Sequence, residues 1–297
     1  MSAEPNNSSL EVNGIALTVA GRFPRIVRVR SENFIFIGDV PRLVSAVRTK
    51  PAGDLFTFIQ PIWDTEPHYP FHQEWLDLAV LEFESYDAWW KNQLNDKTRN
   101  MVRKSAKKGV EVRVCTCDEN FIRGIKEIYD ESPIRQGKPF WHYKKDLTTL
   151  RDSHLTFAER SEFIGAYFEG KLIGFVKMVC FEKAAILMQI ISMIAHRDKA
   201  PTNALLAQAV KLCEAKGIHM IQYGSWSRRS FGEFKKHHCF HLLQVPRYYV
   251  PLNIRGSIAL RMRIHRNPLA LLPESWADRL AVLRNRWNER KSAVSSR

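Results

Sequence analysis

Cysteine is scarce in this chain of 297 residues: five in all, an odd number with no framework spacing. That excludes a disulfide-stapled scaffold and points to reduced thiols in a cytoplasmic protein. Fourteen glycines and fourteen prolines are too few for a collagenous or low-complexity chain. Long apolar runs are missing as well. The longest charge-free stretch near the middle, Ala184–His196, is shorter than the ~20 residues a membrane helix needs. Met1–Leu10 is polar and carries Glu4, so the basic-then-apolar pattern of a signal peptide is not expected. Zinc spacing is absent too. Neither Cys115-x-Cys117 nor His237-His238-Cys239-x-His241 pairs a Cys-x2-Cys with a His-x3-His, and no metal is expected.

Positive charge is abundant. Lys and Arg number 45 against 31 Asp and Glu, a formal net of +14. Residues 86–109 contribute +5 and residues 252–297 contribute +7. A field of this kind attracts phosphate, whether of RNA, an anionic membrane or a phosphorylated substrate. A plain solvated surface is the alternative.

The length fits one or two domains. Residues 1–13 are polar and expected to be disordered. From residue 14 to 84, short apolar segments read as strands: Ile15–Val19, Ile26–Val29, Leu55–Ile59 and Leu76–Phe83. Asp39 is placed to cap a short helix over Asp39–Val47. Ser85–Gly109 reads as one long helix, with Tyr86, Trp90, Leu94 and Met101 along one side and Gly109 at its end. The strand Val110–Thr116 and the helix Glu119–Tyr129 follow. Asp130–Tyr143 is a loop with two prolines and the run Phe140-Trp141-His142-Tyr143; it either lines a site or plugs a gap in the core.

Residues 163–223 form the clearest unit. Phe163–Phe168 and Lys171–Cys180 flank Glu169-Gly170 as a hairpin. Ala184–Ala195 is apolar on both faces apart from Gln189 and Ser192, so it belongs at the centre of a sheet. The helix Thr202–Lys216 and the strand Ile218–Tyr223 follow, which predicts a right-handed crossover and parallel pairing. A short helix over Arg229–His237, a strand over His241–Pro251 and a basic helical tail over residues 252–297 complete the reading. The fold class is α/β, in the form of an α+β mixed sheet.

These residues carry a resemblance. The hairpin Phe163-Ile-Gly-Ala-Tyr-Phe-Glu-Gly-Lys-Leu-Ile-Gly-Phe-Val176, the central strand, the helix and the strand ending Tyr223-Gly-Ser225 resemble a GNAT-type N-acyltransferase. Arg99-Asn-Met-Val-Arg-Lys-Ser-Ala-Lys-Lys-Gly-Val110 is similar to the basic helix-to-strand junction of the Fem-like aminoacyl transferase group. Ser230-Phe-Gly-Glu-Phe-Lys-Lys-His-His-Cys-Phe240 is similar to that group's Phe-Lys segment. The resemblance covers about residues 85–251. It implies a GNAT-like acyltransferase domain over 85–251, preceded by a reduced GNAT-like half over 14–84. Two departures stand out. The loop His196–Asn203 lacks the glycines of an acetyl-CoA loop, which leaves its backbone less free to wrap a pyrophosphate; Fem-like members lack that loop too. Cys239 stands where the group usually has glycine.

The resemblance implies transfer of an acyl or aminoacyl group from acyl-CoA or aminoacyl-tRNA to an amine. The acceptor would be a small molecule or a cell-envelope precursor. Because the sequence has no Ser-His-Asp or Gly-x-Ser-x-Gly signature, direct attack by the amine is expected. Lys235, by the resemblance, lies near the reacting carbonyl and stabilises the oxyanion; the alternative is a surface lysine beside Lys236. Tyr223 ends a strand where α/β sheets open to ligands. Gln189, a polar residue in an apolar strand, either binds the acyl group or satisfies a neighbouring backbone group. His142 is the general-base candidate by its intrinsic pKa, with a structural loop histidine as the alternative. Arg99, Arg103, Lys104 and Arg135 are expected at phosphates of a tRNA end, a nucleotide or CoA. Arg197, Lys199, Thr202 and Asn203 form a second anion candidate at a helix start. In the tail, Trp276, Leu280, Leu283 and Trp287 recur at helical spacing among arginines. That stripe either docks on an anionic membrane, at the inner face, or packs on the protein itself. The alternative to an enzyme is a non-catalytic protein whose basic helices bind RNA or an anionic membrane.

Overall fold

The computed structural model describes residues 8–50, 52–226 and 230–266. The chain divides into two compact units, Met1–Leu76 with Gln244–Arg297, and Asp77–Leu243. The first opens with strands β1 (Ser8–Val12), β2 (Ile15–Ala20) and β3 (Ile26–Val29), helix α1 (Val40–Arg48) and strand β4 (Leu55–Ile59). Strand β5 (His72–Glu82) carries the chain into the second unit. There follow a single turn α2 (Tyr86–Ala88), helix α3 (Asp96–Lys107), strand β6 (Glu111–Cys115) and helix α4 (Glu119–Asp130). A tiny hairpin, β7 (Ile134–Arg135) and β8 (Lys138–Pro139), leads to helix α5 (Leu147–Leu155). Strands β9 (Ser161–Phe168), β10 (Lys171–Cys180) and β11 (Ala185–Ser192) come next. Helix α6 (Pro201–Ala215), strand β12 (Met220–Ser225) and helix α7 (Ser230–His237) follow. Strand β13 (His241–Pro251) returns to the first unit, and helix α8 (Ile254–Arg261) follows it.

In the first unit the strand order is β1-β2-β3-β4-β13, antiparallel except for β3 beside β4. Asp39 caps α1 as its sequence position predicts, its carboxylate accepting from the Arg42 N–H at 2.9 Å. The face Val40, Leu43, Val44 and Val47 is buried in one cluster with Val12, Leu17, Val19 and Val27. Tyr248 of β13 stacks on Phe58 of β4 at 5.1 Å between ring centroids. Residues 8–12 correct the expectation of disorder over 1–13: they form β1, because Val12 buries its side chain in this core while the backbone pairs with β2.

In the second unit the order is β5-β12-β11-β10-β9-β6. The parallel pair is β11 with β12, joined by α6, as the crossover argument requires. Strand β10 is buried on both faces, and its alternate residues face different helices. Phe175 packs towards Tyr129 of α4 and His154 of α5, at 6.0 and 5.7 Å between centroids. Met178 meets Cys213 of α6, sulfur to sulfur at 3.5 Å. Helix α4 buries Phe121, Ile122, Ile125, Ile128 and Tyr129 on one face; each such apolar side chain contributes ~1.5–3 kcal/mol.

Ser85–Gly109 is not the single helix its periodicity suggests. After α2 the chain widens into a π-turn over Trp89–Gln93, and Leu94 leaves the helix with an extended backbone. Asn95 then restarts it as the cap of α3, accepting from the Thr98 N–H at 2.8 Å. The cause is local. Asn competes for backbone donors in non-helical geometry, and the wider turn lets Trp89 and Leu94 both be buried. The amphipathic stripe Trp276–Trp287 and the helix start at Arg229 lie outside the described residues.

Candidate active site

Strands β11 and β12 pair at Ala185 with Ile221 and at Ile186 with Gln222, and there the register ends. Beyond it, each strand carries a cluster of polar side chains. On β12 and α7, the Lys235 ammonium is 5.0 Å from the centre of the Tyr223 ring and donates to the Ser225 carbonyl at 2.7 Å. Lys235 is 2% exposed, so it is not the surface lysine of the alternative reading. Burial pulls its pKa down to about 8 and pushes that of the Tyr223 phenol well up. At neutral pH the pair is an ammonium beside a protonated phenol, two donors at the end of a strand.

The second cluster is on β11. The register shift between Lys177 and Met178 leaves Met188 as an extra residue in β11. Gln189 therefore lies opposite Lys177, on the side of the sheet that faces α4 and α5. The Tyr129 hydroxyl donates to Gln189 Oε1 at 2.9 Å, and Gln189 Nε2 donates to His142 Nε2 at 3.3 Å. With the amide in this orientation the lone pair of His142 is on Nε2, and its buried Nδ1 has no hydrogen-bond partner among the described residues. Burial first, then the Lys145 and His154 charges, hold the His142 pKa down to about 4. The imidazole is neutral at pH 7. The Tyr129 phenol is pushed up by burial.

Two expected phosphate ligands are engaged internally. Arg135 donates to the Ser192 carbonyl at 2.8 Å, the Ile128 carbonyl at 2.6 Å and Glu131 at 3.0 Å. It braces the end of β11 and is itself half-buried, which lowers its pKa. Arg99 donates to the carbonyls of Trp90 and Lys91, each at 2.9 Å, and to Asp96. It caps the π-turn. Arg103 and Lys104, by contrast, line a shallow cleft of about 310 Å³ with Asn100, Lys107 and Lys108. Among the described residues these four cations form no ion pair.

Arg197 and Lys199 lie in a single turn after β11, and Lys199 sits 4.6 Å over the Phe168 ring. Ala200 is left-handed at φ 54°, Pro201 starts α6, and the Thr202 hydroxyl is 2.9 Å from that of Ser192. The Asn203 N–H is taken by the Ala200 carbonyl at 3.2 Å. Just upstream, Glu131 accepts from the N–H groups of Ile194 at 2.7 Å and Ala195 at 2.8 Å. An internal carboxylate thus occupies backbone donors that would otherwise face an anion. Glu131, Tyr129, His154 and Lys177 escape the sequence reading. Lys177, 1% exposed, donates to the Thr156 carbonyl and hydroxyl at 2.8 and 2.9 Å, and burial pulls its pKa to about 8. A lysine inside the apolar run Leu172–Cys180 was its available signal. A separate cleft of about 620 Å³ at the β6 edge, lined by Arg113, Asp118, Arg123 and Tyr167 among others, includes none of the expected residues.

No family model and no curated protein matches the sequence. Solved structures do. The C-terminal domain of an Agrobacterium fabrum protein assigned as a lysylphosphatidylglycerol synthetase is similar over 86% of this chain and 88% of that one, with TM-score 0.57 and 12% identity. L-PGS from Bacillus licheniformis is similar over 87% and 88%, with TM-score 0.53 and 12% identity. FemX is similar over 86% and 90%, with TM-score 0.58 and 9% identity. At such identities the likeness speaks for the fold, and with the parted parallel pair and its crossover helix the conclusion is plain: this chain has a GNAT-like acyltransferase fold.

Proposed function

We propose that the second unit transfers an acyl or aminoacyl group from an activated donor to an amine by direct attack. The observation that carries this reading is Lys235, a buried lysine with its ammonium beside Tyr223 where β12 parts from β11. The neutral amine attacks the donor carbonyl, and the carbonyl oxygen takes up negative charge. The Lys235 ammonium and Tyr223 hydroxyl stabilise that oxyanion. Collapse then forms the new amide and expels the donor's leaving group, which takes the proton the amine has lost. Gln189, held by Tyr129 and His142, orients the acyl group from the β11 side.

Of the two donor classes, aminoacyl-tRNA is the better supported. Glu131 holds the Ile194 and Ala195 N–H groups, and the loop that follows has no glycine with which to wrap a pyrophosphate. The cationic cleft of Arg103, Lys104, Lys107 and Lys108 suits a phosphate backbone. The fold likeness to a protein assigned as a lysylphosphatidylglycerol synthetase, whose name joins a lysyl group to a phospholipid, is in keeping with an aminoacyl group and an acceptor at the cell envelope. No helix among the described residues is long and apolar enough to cross a membrane. The cationic cleft also favours the second reading, a non-catalytic binder of RNA.

The test is mass spectrometry of the purified full chain for copurified donor, followed by incubation with aminoacyl-tRNA and with acetyl-CoA in parallel. Consumption of aminoacyl-tRNA by wild type, and much slower consumption by Lys235→Ala, is expected. Tight RNA retention with no consumption of either donor overturns the enzyme reading in favour of the binder.

A further inference from the structure

Outside the candidate active site, His72, Glu74 and His265 bring two imidazole nitrogens and a carboxylate oxygen within 4.8 Å of one another. All three belong to the first unit. Strand β5 places His72 and Glu74 two residues apart, hence on one face. His265 arrives from the turn after α8, where Arg263 is left-handed at φ 57° and the Ile264 N–H donates to the Ala259 carbonyl at 2.9 Å. The His265 side chain is fully buried, and its ring lies 4.7 Å from that of Tyr249.

We propose that His72, Glu74 and His265 form a binding site for one divalent metal ion of the zinc type. Three N–H groups now crowd a single oxygen, Glu74 Oε1: His265 Nε2 at 2.8 Å, Arg266 Nε at 2.9 Å and His72 Nε2 at 3.4 Å. An ion takes the place of the Nε2 protons: a neutral ring keeps its single proton by carrying it on Nδ1, a protonated ring releases one to solvent, and both rings then ligate as neutral imidazoles beside the carboxylate. The second nitrogen of His265 is already oriented for this. Its Nδ1 faces the Ala259 carbonyl at 3.5 Å, the kind of outer partner that holds a ligating histidine in the tautomer with a free Nε2 lone pair. Two imidazoles and a carboxylate form a donor set that suits zinc, and the solvent-exposed side of His72 leaves a fourth position for water. Arg266 is the competitor. Its side chain is 36% exposed, so it can turn into water as the ion arrives. The expectation of no metal rested on local spacing, whereas these ligands are 191 residues apart between Glu74 and His265. The ion would pin the segment after α8 to β5. None of the residues assigned to transfer takes part.

The test uses the untagged full chain, stripped with chelator and titrated with Co²⁺, whose visible bands report tetrahedral coordination. One equivalent of Co²⁺ should bind, and Zn²⁺ should bleach the bands and raise the melting temperature. His72→Ala, a largely exposed change that keeps the fold, should weaken binding at least ~100-fold, more than the loss of an outer partner does. Glu74→Gln should do the same, and Lys235→Ala should bind as wild type does. Absence of bands in wild type, or bands unchanged in His72→Ala, overturns the proposal and leaves a charge cluster around Glu74. Neither result bears on acyl transfer.

Discussion

Both units hold half-buried matched ion pairs, Arg247 with Glu32 in the first and Arg135 with Glu131 in the second, but they differ in their buried lysines. In the first, buried charge is matched. The Arg247 guanidinium holds Glu32 through two bonds, at 2.6 and 3.2 Å, and reaches Thr57. Gln60 is bonded to the Asp64 and Glu66 carbonyls and to the Tyr248 hydroxyl. Such groups stabilise one arrangement and stop there. In the second unit, Lys177 and Lys235 are buried on carbonyl and hydroxyl oxygens, and burial pulls both pKa values to about 8. His142 is neutral and bonded to an amide. A cation buried in a core is costly unless its hydrogen bonds are met, and a perturbed pKa marks either a functional site or a structural network. Lys177 caps α5 through Ser153 and Thr156; Lys235 stands beside Tyr223 where β12 parts from β11, which is why we propose it for the chemistry.

This contrast can be broken most directly at Lys235. Lys235→Ala, and Tyr223→Phe, should each slow transfer by ~10²–10³ while circular dichroism and melting stay near wild type. Wild-type rates in both, with the donor identified by mass spectrometry, would move the chemistry elsewhere. Next in size is the matched pair of the first unit. Arg247→Ala leaves Glu32 half-stranded and should cost ~3 kcal/mol in urea unfolding, with the rate of the remaining folded protein unchanged. A loss of rate without a loss of stability would erase the distinction between the units.

The smallest effect is the pH dependence. Lys235 has to be charged to stabilise an oxyanion, so turnover should fall as pH rises through about 8. Stability runs the other way. Between about 8 and the ordinary lysine value of 10.5, the unfolded chain holds a proton that the folded one has shed, so unfolding free energy rises with pH in that window. Lys235→Met should flatten the rate profile and halve the rise in stability, leaving the share of Lys177. A rate that climbs through pH 8 would mean that a deprotonated group, not the ammonium, is limiting.

Much of this architecture is written locally. The hairpin of β9 and β10 has its Glu169-Gly170 turn, α6 its apolar face, and α1 its Asp39 cap, each readable within a dozen residues. The break before α3 is local too, yet the apolar spacing of Tyr86, Trp90 and Leu94 masks it, because a π-turn preserves much of a helical pattern. The polar clusters are another matter. Gln189 meets Tyr129 across 60 residues and His142 across 47. Glu131 reaches the N–H of Ile194 across 63. Nothing in composition or periodicity ties such partners together, so Arg135 and Arg99 look like free cations in the sequence and prove to be braces in the fold.

Glu131 has one further consequence. Because it is tethered, it competes for the Ile194 and Ala195 amides as an intramolecular ligand, at an effective concentration of mM or more for a short connection. A small anionic metabolite diffusing in at micromolar levels is outcompeted. Only a donor anchored through many contacts elsewhere matches that local concentration. On the proposed transfer reading, one carboxylate would screen donors by how many contacts they make, without touching the reacting carbon.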